Sequence, residues 1–141
     1  MTYASTRGTV KGVSFSEAVL KGIAPDGGLF VPEEDVRFDS LDLANMAEMS
    51  YKDLAASIFR QYATDFTEAE IEACVEKAYG GGSAFPASVA PVSHVNDTLS
   101  VLELWHGPTC AFKDMALQIM PRLLSRALQM TGEKRLAHIL V

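Results

Sequence analysis

Residues 102–118 read LELWHGPTCAFKDMALQ, and this stretch decides the fold of the C-terminal half of the chain. An apolar run around Leu102 and Leu104 predicts a strand, and the segment 106–109 (HGPT) that follows breaks regular structure and predicts a turn. From Lys113 onward apolar residues recur at helical spacing, namely Ala116, Ile119, Met120, Leu123, Leu124, Ala127 and Leu128. The sequence therefore predicts a strand, a turn and a helix, with a lysine where the helix begins.

The position of Lys113 has a chemical consequence. The first turn of a helix carries partial positive charge and unpaired N–H groups, so it favours anions and disfavours an ammonium ion. An amine that must be neutral to attack a carbonyl gains from such a position. Spacing alone favours a solvated surface lysine, because most lysines are exposed, and leaves the nucleophilic amine as the alternative.

Composition and charge narrow the class of protein. The chain has 141 residues, 48% of them apolar and 21% charged, with a net charge of −6. This acidic balance argues against nucleic acid or an anionic membrane as the main partner. No apolar run reaches the roughly 18 residues of a membrane span, and the N-terminus lacks the pattern of a signal peptide. Cys74 and Cys110 lack metal-ligand or redox spacing. We therefore expect a cytoplasmic protein with reduced thiols and no metal site; secretion with one disulfide is the alternative.

The rest of the chain reads as short strands and capped helices. Capping signals stand at Ser14, Ser50 and Thr67, each followed three residues later by an acidic residue. The predicted elements are a strand at 2–6, a helix at 15–23, a strand at 29–31, helices at 40–47, 51–62 and 67–80, hairpin strands at 91–95 and 98–104 joined at Asn96–Asp97, a helix from Lys113 kinked at Pro121 and ended by Gly132, and a strand at 136–141.

Residues 80–82 are three glycines, which we interpret as a left-handed C-terminal cap of the preceding helix. A phosphate-binding loop is the alternative, but such a loop is normally followed by a helix, and here extended chain follows. The fold class is α/β: a helix-rich domain with short strands and a hairpin over residues 1–82, then the beginning of an open parallel sheet over 83–141. Because the chain stops on the strand Leu136–Val141, we expect it to be truncated.

Three stretches carry a resemblance to a known family: HGPTCAFKDMALQ at 106–118, STRG at 5–8, and the segment from Phe15 to Pro32, which contains PDGGLFVP. Together they resemble the threonine synthases, fold-type-II enzymes that use pyridoxal 5′-phosphate. The stretches stand in the family's order and extend over most of the chain. Trp105 and Cys110 depart from the usual motif but keep its apolar character.

The resemblance implies roles for the residues around the motif. Lys113 would hold the cofactor covalently and then carry protons between substrate carbons. Phe112 would lie near the cofactor ring, with packing in the core as its alternative. Thr109 and His106 would contact the substrate; a turn cap and a brace against the backbone are their alternatives. Asp114 would favour the helix N-terminus electrostatically.

At the N-terminus the resemblance implies that Ser5, Thr6 and Arg7 approach the substrate phosphate. Arg7 is the most credible of the three, because a guanidinium grips phosphate through two N–H bonds. An ion pair between Arg7 and a carboxylate of this acidic chain is the alternative, and the one favoured by residue type alone. The implied reaction converts O-phospho-L-homoserine and water to L-threonine and phosphate.

Two other interpretations stay open. The chain could belong to a related fold-type-II lyase, although its N-terminal motifs argue against this. It could also be a non-catalytic fragment that pairs with a partner, or with itself, through the exposed Leu136–Val141 strand. As an N-terminal fragment, the chain is expected to be inactive alone.

Overall fold

The computed structural model describes residues 1–134, and the predicted strand Leu136–Val141 lies outside them. The described part contains five α-helices and two small antiparallel sheets. In chain order the elements are β1 (Tyr3–Ser5), α1 (Phe15–Lys21), β2 (Phe30–Pro32), α2 (Ser40–Ala47), α3 (Tyr51–Tyr62), α4 (Glu68–Tyr79), β3 (Val92–Asn96), β4 (Leu99–Leu102) and α5 (Asp114–Thr131). The helix-rich fold with short strands and a hairpin is as predicted. Among the described helices none combines the length and apolar character needed to cross a bilayer.

The predicted helix starts are confirmed by their caps. At α1 the Ser14 hydroxyl accepts from the Glu17 N–H at 3.3 Å, and the Glu17 carboxylate accepts from the Ser14 N–H at 3.3 Å. Thr67 and Glu70 form the same reciprocal pair at α4. These bonds satisfy N–H groups that have no partner inside their own helix, so the local sequence alone sets where each helix begins.

Three helices share one hydrophobic core. Side chains of α3, α4 and α5 meet around Ile71 and Val75, which are 2% and 1% exposed. The buried members of this core are Ala56, Ala63, Phe66, Ile71, Cys74, Val75, Ala78, Tyr79, Phe85, Val89, Ile119, Leu123 and Ala127. Helix α5 follows the predicted domain boundary at residue 82, yet it contributes to the same core as α3 and α4. The division into two domains stays a prediction.

The first sheet closes the N-terminus onto the helices. Strands β1 and β2 pair antiparallel, with Tyr3 opposite Pro32 and Ser5 opposite Phe30. Tyr3 is buried beside Val13 and Ala18, and its hydroxyl donates to the Tyr62 carbonyl at 2.8 Å. This bond ties the sheet to the end of α3.

The second sheet is a hairpin whose turn lies one residue later than predicted. Asn96 pairs with Leu99, so the turn residues are Asp97 and Thr98. The Asn96 side chain accepts from both the N–H and the hydroxyl of Thr98 at 3.0 Å. Asparagine makes such local bonds readily, and here they keep Asn96 in the strand and move the turn.

The left-handed cap predicted at the end of α4 is wrong at Gly80. This residue is extended, with φ −80° and ψ −175°, and the left-handed φ of +88° occurs at Gly82. Glycine is required at residue 80 for another reason: a Cβ there would lie 2.5 Å from the Glu76 carbonyl oxygen. Close approach of the backbone, not backbone conformation, sets the residue at this helix end.

Helix α5 continues through Pro121 and ends at a left-handed Gly132, as predicted for its C-terminus. The Arg122 guanidinium donates to the Gln118 carbonyl beside the proline. The kink at Pro121 stays a prediction.

Candidate active site

The segment after β4 is held to the hairpin through Glu103. The Glu103 N–H donates to the Pro91 carbonyl at 2.9 Å, and its carboxylate accepts from the Ser93 hydroxyl. The same carboxylate lies 2.6 Å from Nε2 of His106. Hydrogen bonds from Ser93 and then His106 lower the pKa of Glu103 below its usual value. His106 is therefore braced by a carboxylate rather than by the backbone.

The aromatic ring of Trp105 lies against His106. The two ring centroids are 5.6 Å apart and their planes differ by 30°, a stacked arrangement. Nε2 of His106 faces Glu103, and Nδ1 has no hydrogen-bond partner within residues 1–134. One ring nitrogen is thus left for another group.

Asp114 clamps the HGPT turn onto the start of α5. It is only 1% exposed, and its two carboxylate oxygens accept from the N–H and the hydroxyl of Thr109, each at 2.8 Å. Burial raises the pKa of Asp114, but hydrogen bonds from Thr109 and from the Ala111 backbone together outweigh burial and leave the pKa below its ordinary value. Asp114 thus does more than favour the helix dipole: it fixes the turn that precedes the lysine.

Gly107 is where the turn passes closest to this clamp. A Cβ at Gly107 would lie 2.4 Å from Cβ of Asp114 and 2.6 Å from its Oδ2. Two residues before Phe112, Cys110 has a left-handed φ of 56°, which is uncommon for a residue with a side chain. The HGPT turn is therefore tightly packed on one side and bent sharply just before the lysine.

Phe112 and Lys113 point away from the core. Phe112 is 65% exposed, so the alternative of core packing beneath the helix does not hold. Lys113 is exposed at the first residue before α5, and its carbonyl accepts from the Leu117 N–H at 2.8 Å. Within residues 1–134 no carboxylate pairs with Lys113. A primary amine without an ion-pair partner in the described residues thus follows an exposed aromatic residue in the chain, and these residue types fit an aromatic aldehyde cofactor.

The STRG segment, at the other predicted site, is held by the turn at residues 26–28. The Ser5 hydroxyl donates to Oδ1 of Asp26 at 2.6 Å, and the Thr6 hydroxyl accepts from the Leu29 N–H at 3.0 Å. Arg7 forms no ion pair with a carboxylate of residues 1–134, so that alternative is wrong for the described part of the chain. Among Ser5, Thr6 and Arg7, only Arg7 has a charged side chain, and this side chain has no ion-pair partner in the described residues.

Asp26 is the centre of this brace. Besides Ser5 it accepts from the Gly28 N–H at 3.0 Å and from the hydroxyl and N–H of Thr9. Hydrogen bonds from Ser5 and then Thr9 hold the pKa of Asp26 well below its usual range. Gly28 leaves no room for a side chain, because its Cβ would lie 2.1 Å from Oγ of Ser5.

The two groups of predicted site residues stay apart in their direct contacts. No hydrogen bond or ion pair within residues 1–134 joins residues 5–7 to residues 106–113. Sequence reasoning missed Glu103 and the hydrogen bonds that Asp26 accepts from Ser5 and Thr9. The signal for Glu103 was its place three residues before His106.

The sequence of this chain is similar to those of known threonine synthases. The family model described as "Threonine synthase N terminus" matches residues 2–79. The threonine synthase of Pseudomonas aeruginosa is 40% identical over 135 residues, covering 95% of this chain and 28% of that protein. The threonine synthase of Saccharomyces cerevisiae is 37% identical and covers 94% of this chain and 28% of that protein.

Solved structures agree with the sequence comparisons. A PLP-bound threonine synthase from Brucella melitensis superposes with a TM-score of 0.87 at 36% identity, covering 94% of this chain and 28% of that one. The yeast threonine synthase gives a TM-score of 0.81 at 36% identity, with 94% of this chain and 27% of that chain covered. The fold is that of the N-terminal region of these enzymes. The chain belongs to the threonine synthase family, and it spans a little over a quarter of the length of the relatives it matches.

Proposed function

We propose that this chain is the N-terminal part of a threonine synthase and that Lys113 is its cofactor lysine. Membership of the family supports the class of enzyme. The observation that carries the assignment of the residue is the geometry at the start of α5. There Asp114 clamps the preceding turn, while Lys113 stays exposed and free of any carboxylate within residues 1–134.

Two residues of this chain, Lys113 and Phe112, would contact the cofactor. Lys113 would hold pyridoxal 5′-phosphate through Nζ, and the exposed ring of Phe112 would lie against it. When bound, the cofactor supplies an electron sink for negative charge that develops on substrate carbons. Nζ of Lys113, once released by the incoming substrate amine, would carry a proton from one substrate carbon to another.

The substrate we propose is O-phospho-L-homoserine, converted with water to L-threonine and phosphate by γ-elimination and hydration at the β-carbon. Arg7 would bind the substrate phosphate through its guanidinium. The Thr6 hydroxyl accepts from the Leu29 N–H and keeps its own proton for the phosphate, whereas the Ser5 hydroxyl already donates to Asp26. The Thr109 hydroxyl is likewise engaged, by Asp114. In its protonated form His106 would donate to an anionic group through Nδ1, because Nε2 already donates to Glu103. Because this chain covers only 28% of the length of the Pseudomonas aeruginosa relative, we expect further catalytic groups to lie outside it and the chain alone to form no threonine.

The test is covalent trapping of the cofactor on the 141-residue chain. The chain is titrated with pyridoxal 5′-phosphate, reduced with borohydride and mapped by peptide mass, beside Lys113→Ala and the control Lys21→Ala. A stoichiometric adduct on Lys113, lost in Lys113→Ala and kept in Lys21→Ala, is the expected result. Equal labelling of several exposed lysines would mean that Lys113 has no special reactivity in this chain and would contradict the assignment.

A second candidate function is association through the hairpin. Four apolar side chains of β3 and β4 are at least half exposed: Val92, Val95, Leu99 and Leu102. Several exposed apolar side chains on one hairpin favour an interaction site there. Self-association through it predicts that Leu99→Lys lowers the apparent mass in sedimentation velocity, whereas Leu41→Lys, at a more exposed leucine on α2, leaves it unchanged. Equal behaviour of both variants would argue against this surface.

A cytoplasmic location of the protein also stays a proposal.

A further inference from the structure

The groove between α4 and α5 is lined by three cations. Lys77 extends from α4, and Arg122 and Arg126 extend from α5 into a cavity of about 380 Å³. Arg126 is paired with Glu70 and also donates to Gln129. Lys77 and Arg122 have no carboxylate partner within residues 1–134. In a chain of net charge −6, two unpaired cations on one groove are not the default arrangement.

The glycine turn after α4 continues this groove. A neighbouring cavity of about 350 Å³ shares Lys77 and Arg122 and is lined on its other side by Gly81, Gly82 and Ser83. Within the described residues the N–H groups of Gly81 and Gly82 donate to no protein acceptor. The Ser83 oxygen accepts from the Phe85 N–H, so its own proton remains available to donate.

The positive charges act on the same floor of the groove. Burial raises the pKa of the Cys74 thiol, Lys77 lowers it, Glu70 raises it, and Arg122 and Arg126 lower it. Three cations and one carboxylate therefore lie near enough to act on this thiol between α4 and α5. Both carboxylates that line the two cavities are paired, Glu70 with Arg126 and Glu76 with Lys52 at 2.9 Å.

A structural role explains Lys77 but not Arg122. Lys77 lies in the last turn of α4, where a cation offsets the partial negative charge of the helix end. Arg122 lies in the middle of α5 and has no such duty, and its one hydrogen bond in the described residues goes to the Gln118 carbonyl. Most of its five N–H donors therefore stay unused on the side of the groove.

We propose that this groove binds a phosphate group, either as the free ion or as a phosphomonoester. Lys77 and Arg122 match the charge of a phosphate dianion, and a guanidinium suits two of its oxygens at once. The N–H groups of Gly81 and Gly82 and the Ser83 hydroxyl supply uncharged donors, as backbone turns do in other anion sites. The site differs from a phosphate loop that leads into a helix, because here two separate helices supply the charge. It is independent of the function proposed for Lys113.

The test is a titration of the ¹⁵N-labelled 141-residue chain, followed by ¹H–¹⁵N NMR at constant ionic strength. Inorganic phosphate and O-phosphoserine are the two probes, and chloride is the matched anion. Saturable shifts of the Gly81, Gly82 and Ser83 amides with at least one phosphate probe, absent with chloride, are expected. Comparison of the two probes separates a site for the free ion from one that admits a monoester.

Three variants make the result decisive. Arg122→Gln and Lys77→Gln should each weaken phosphate binding about tenfold or more, because each removes a charge-assisted contact. Lys77 is exposed, so its variant keeps the test valid if Arg122→Gln fails to fold. Arg37→Gln, at an exposed arginine elsewhere, should bind as the unmodified chain does. Absence of shifts at the glycine turn, or equal binding by Lys77→Gln and Arg37→Gln, would overturn the proposal.

Discussion

Adding one methyl group at Gly107 should disturb the site more than its size suggests. The new carbon would lie 2.4 Å from Cβ of Asp114 and 2.8 Å from its Cγ. Carbon atoms in contact normally stand about 3.5–4.0 Å apart, so the Asp114 side chain must retreat by about 1 Å. That movement breaks the two 2.8 Å bonds to Thr109. Overpacking of this kind costs about 1–3 kcal/mol, and we expect Gly107→Ala to lower the free energy of unfolding by that amount.

Two measurements follow this change. Urea unfolding of the 141-residue chain gives the free energy, and trapping of pyridoxal phosphate reports the environment of Lys113. Because the turn that Asp114 holds leads directly into the lysine, both stability and selective labelling of Lys113 should fall in Gly107→Ala.

The matched control is Gly81→Ala, where an added Cβ meets nothing within 4 Å and φ is not left-handed. Loss of glycine in an open turn is neutral or stabilises by about 0.4–1 kcal/mol. If the unfolding free energies of Gly107→Ala and Gly81→Ala agree within about 0.5 kcal/mol, the tight packing at Gly107 does not exist in solution and the reasoning fails.

Three further predictions concern the parts that support the site. Hydrogen bonds lower the pKa of Asp26, so its contribution to stability is present above the ordinary carboxyl pKa of about 4 and is lost as the pH falls below that value. The variant Asp26→Asn should therefore be less stable than the unmodified chain at pH 7 and equally stable in acid. A stability difference that does not change with pH would contradict this prediction. Burial raises the pKa of Tyr3 to about 12, so folding favours the neutral phenol, and this contribution to stability is lost as the pH rises from about 10 to about 12. The alkaline absorbance titration should contain a component with a midpoint near pH 12, and Tyr3→Phe should remove that component. A midpoint near pH 10 for Tyr3 would refute the prediction. Ile71→Ala should cost about 2–5 kcal/mol in urea unfolding because Ile71 is fully buried, whereas Ile58→Ala, at a partly exposed site, should cost clearly less.

Local signals in the sequence were sufficient for the helices but not for the braces around the site. The caps at Ser14 and Thr67 need only residues three positions apart, and both formed as predicted. The bond between Ser5 and Asp26 joins residues 21 positions apart. The local sequence pattern does not predict this bond, because only the pairing of β1 with β2 brings the two residues together.

The same limit applies near the lysine. The start of α5 follows from helical periodicity, and the exposure of Lys113 agrees with the solvated lysine that its residue type favours. The role of Asp114 was only half foreseen, since the expected effect on the helix dipole gave no hint that its carboxylate reaches back to Thr109. At Gly80 the sequence predicted a left-handed helix cap, whereas glycine is needed there because a Cβ would clash with Glu76. That contact can be found only from the folded structure.

The core shared by α3, α4 and α5 has a consequence for synthesis on the ribosome. Ile71 and Val75 emerge well before Ile119 and Leu123, which complete the core around them. Until α5 has left the ribosome, the apolar faces of the earlier helices stay exposed to water and to aggregation or chaperones. Lys113 lies directly before the helix that covers those faces, so the lysine that we propose as the cofactor lysine is positioned in the same folding step that completes the core.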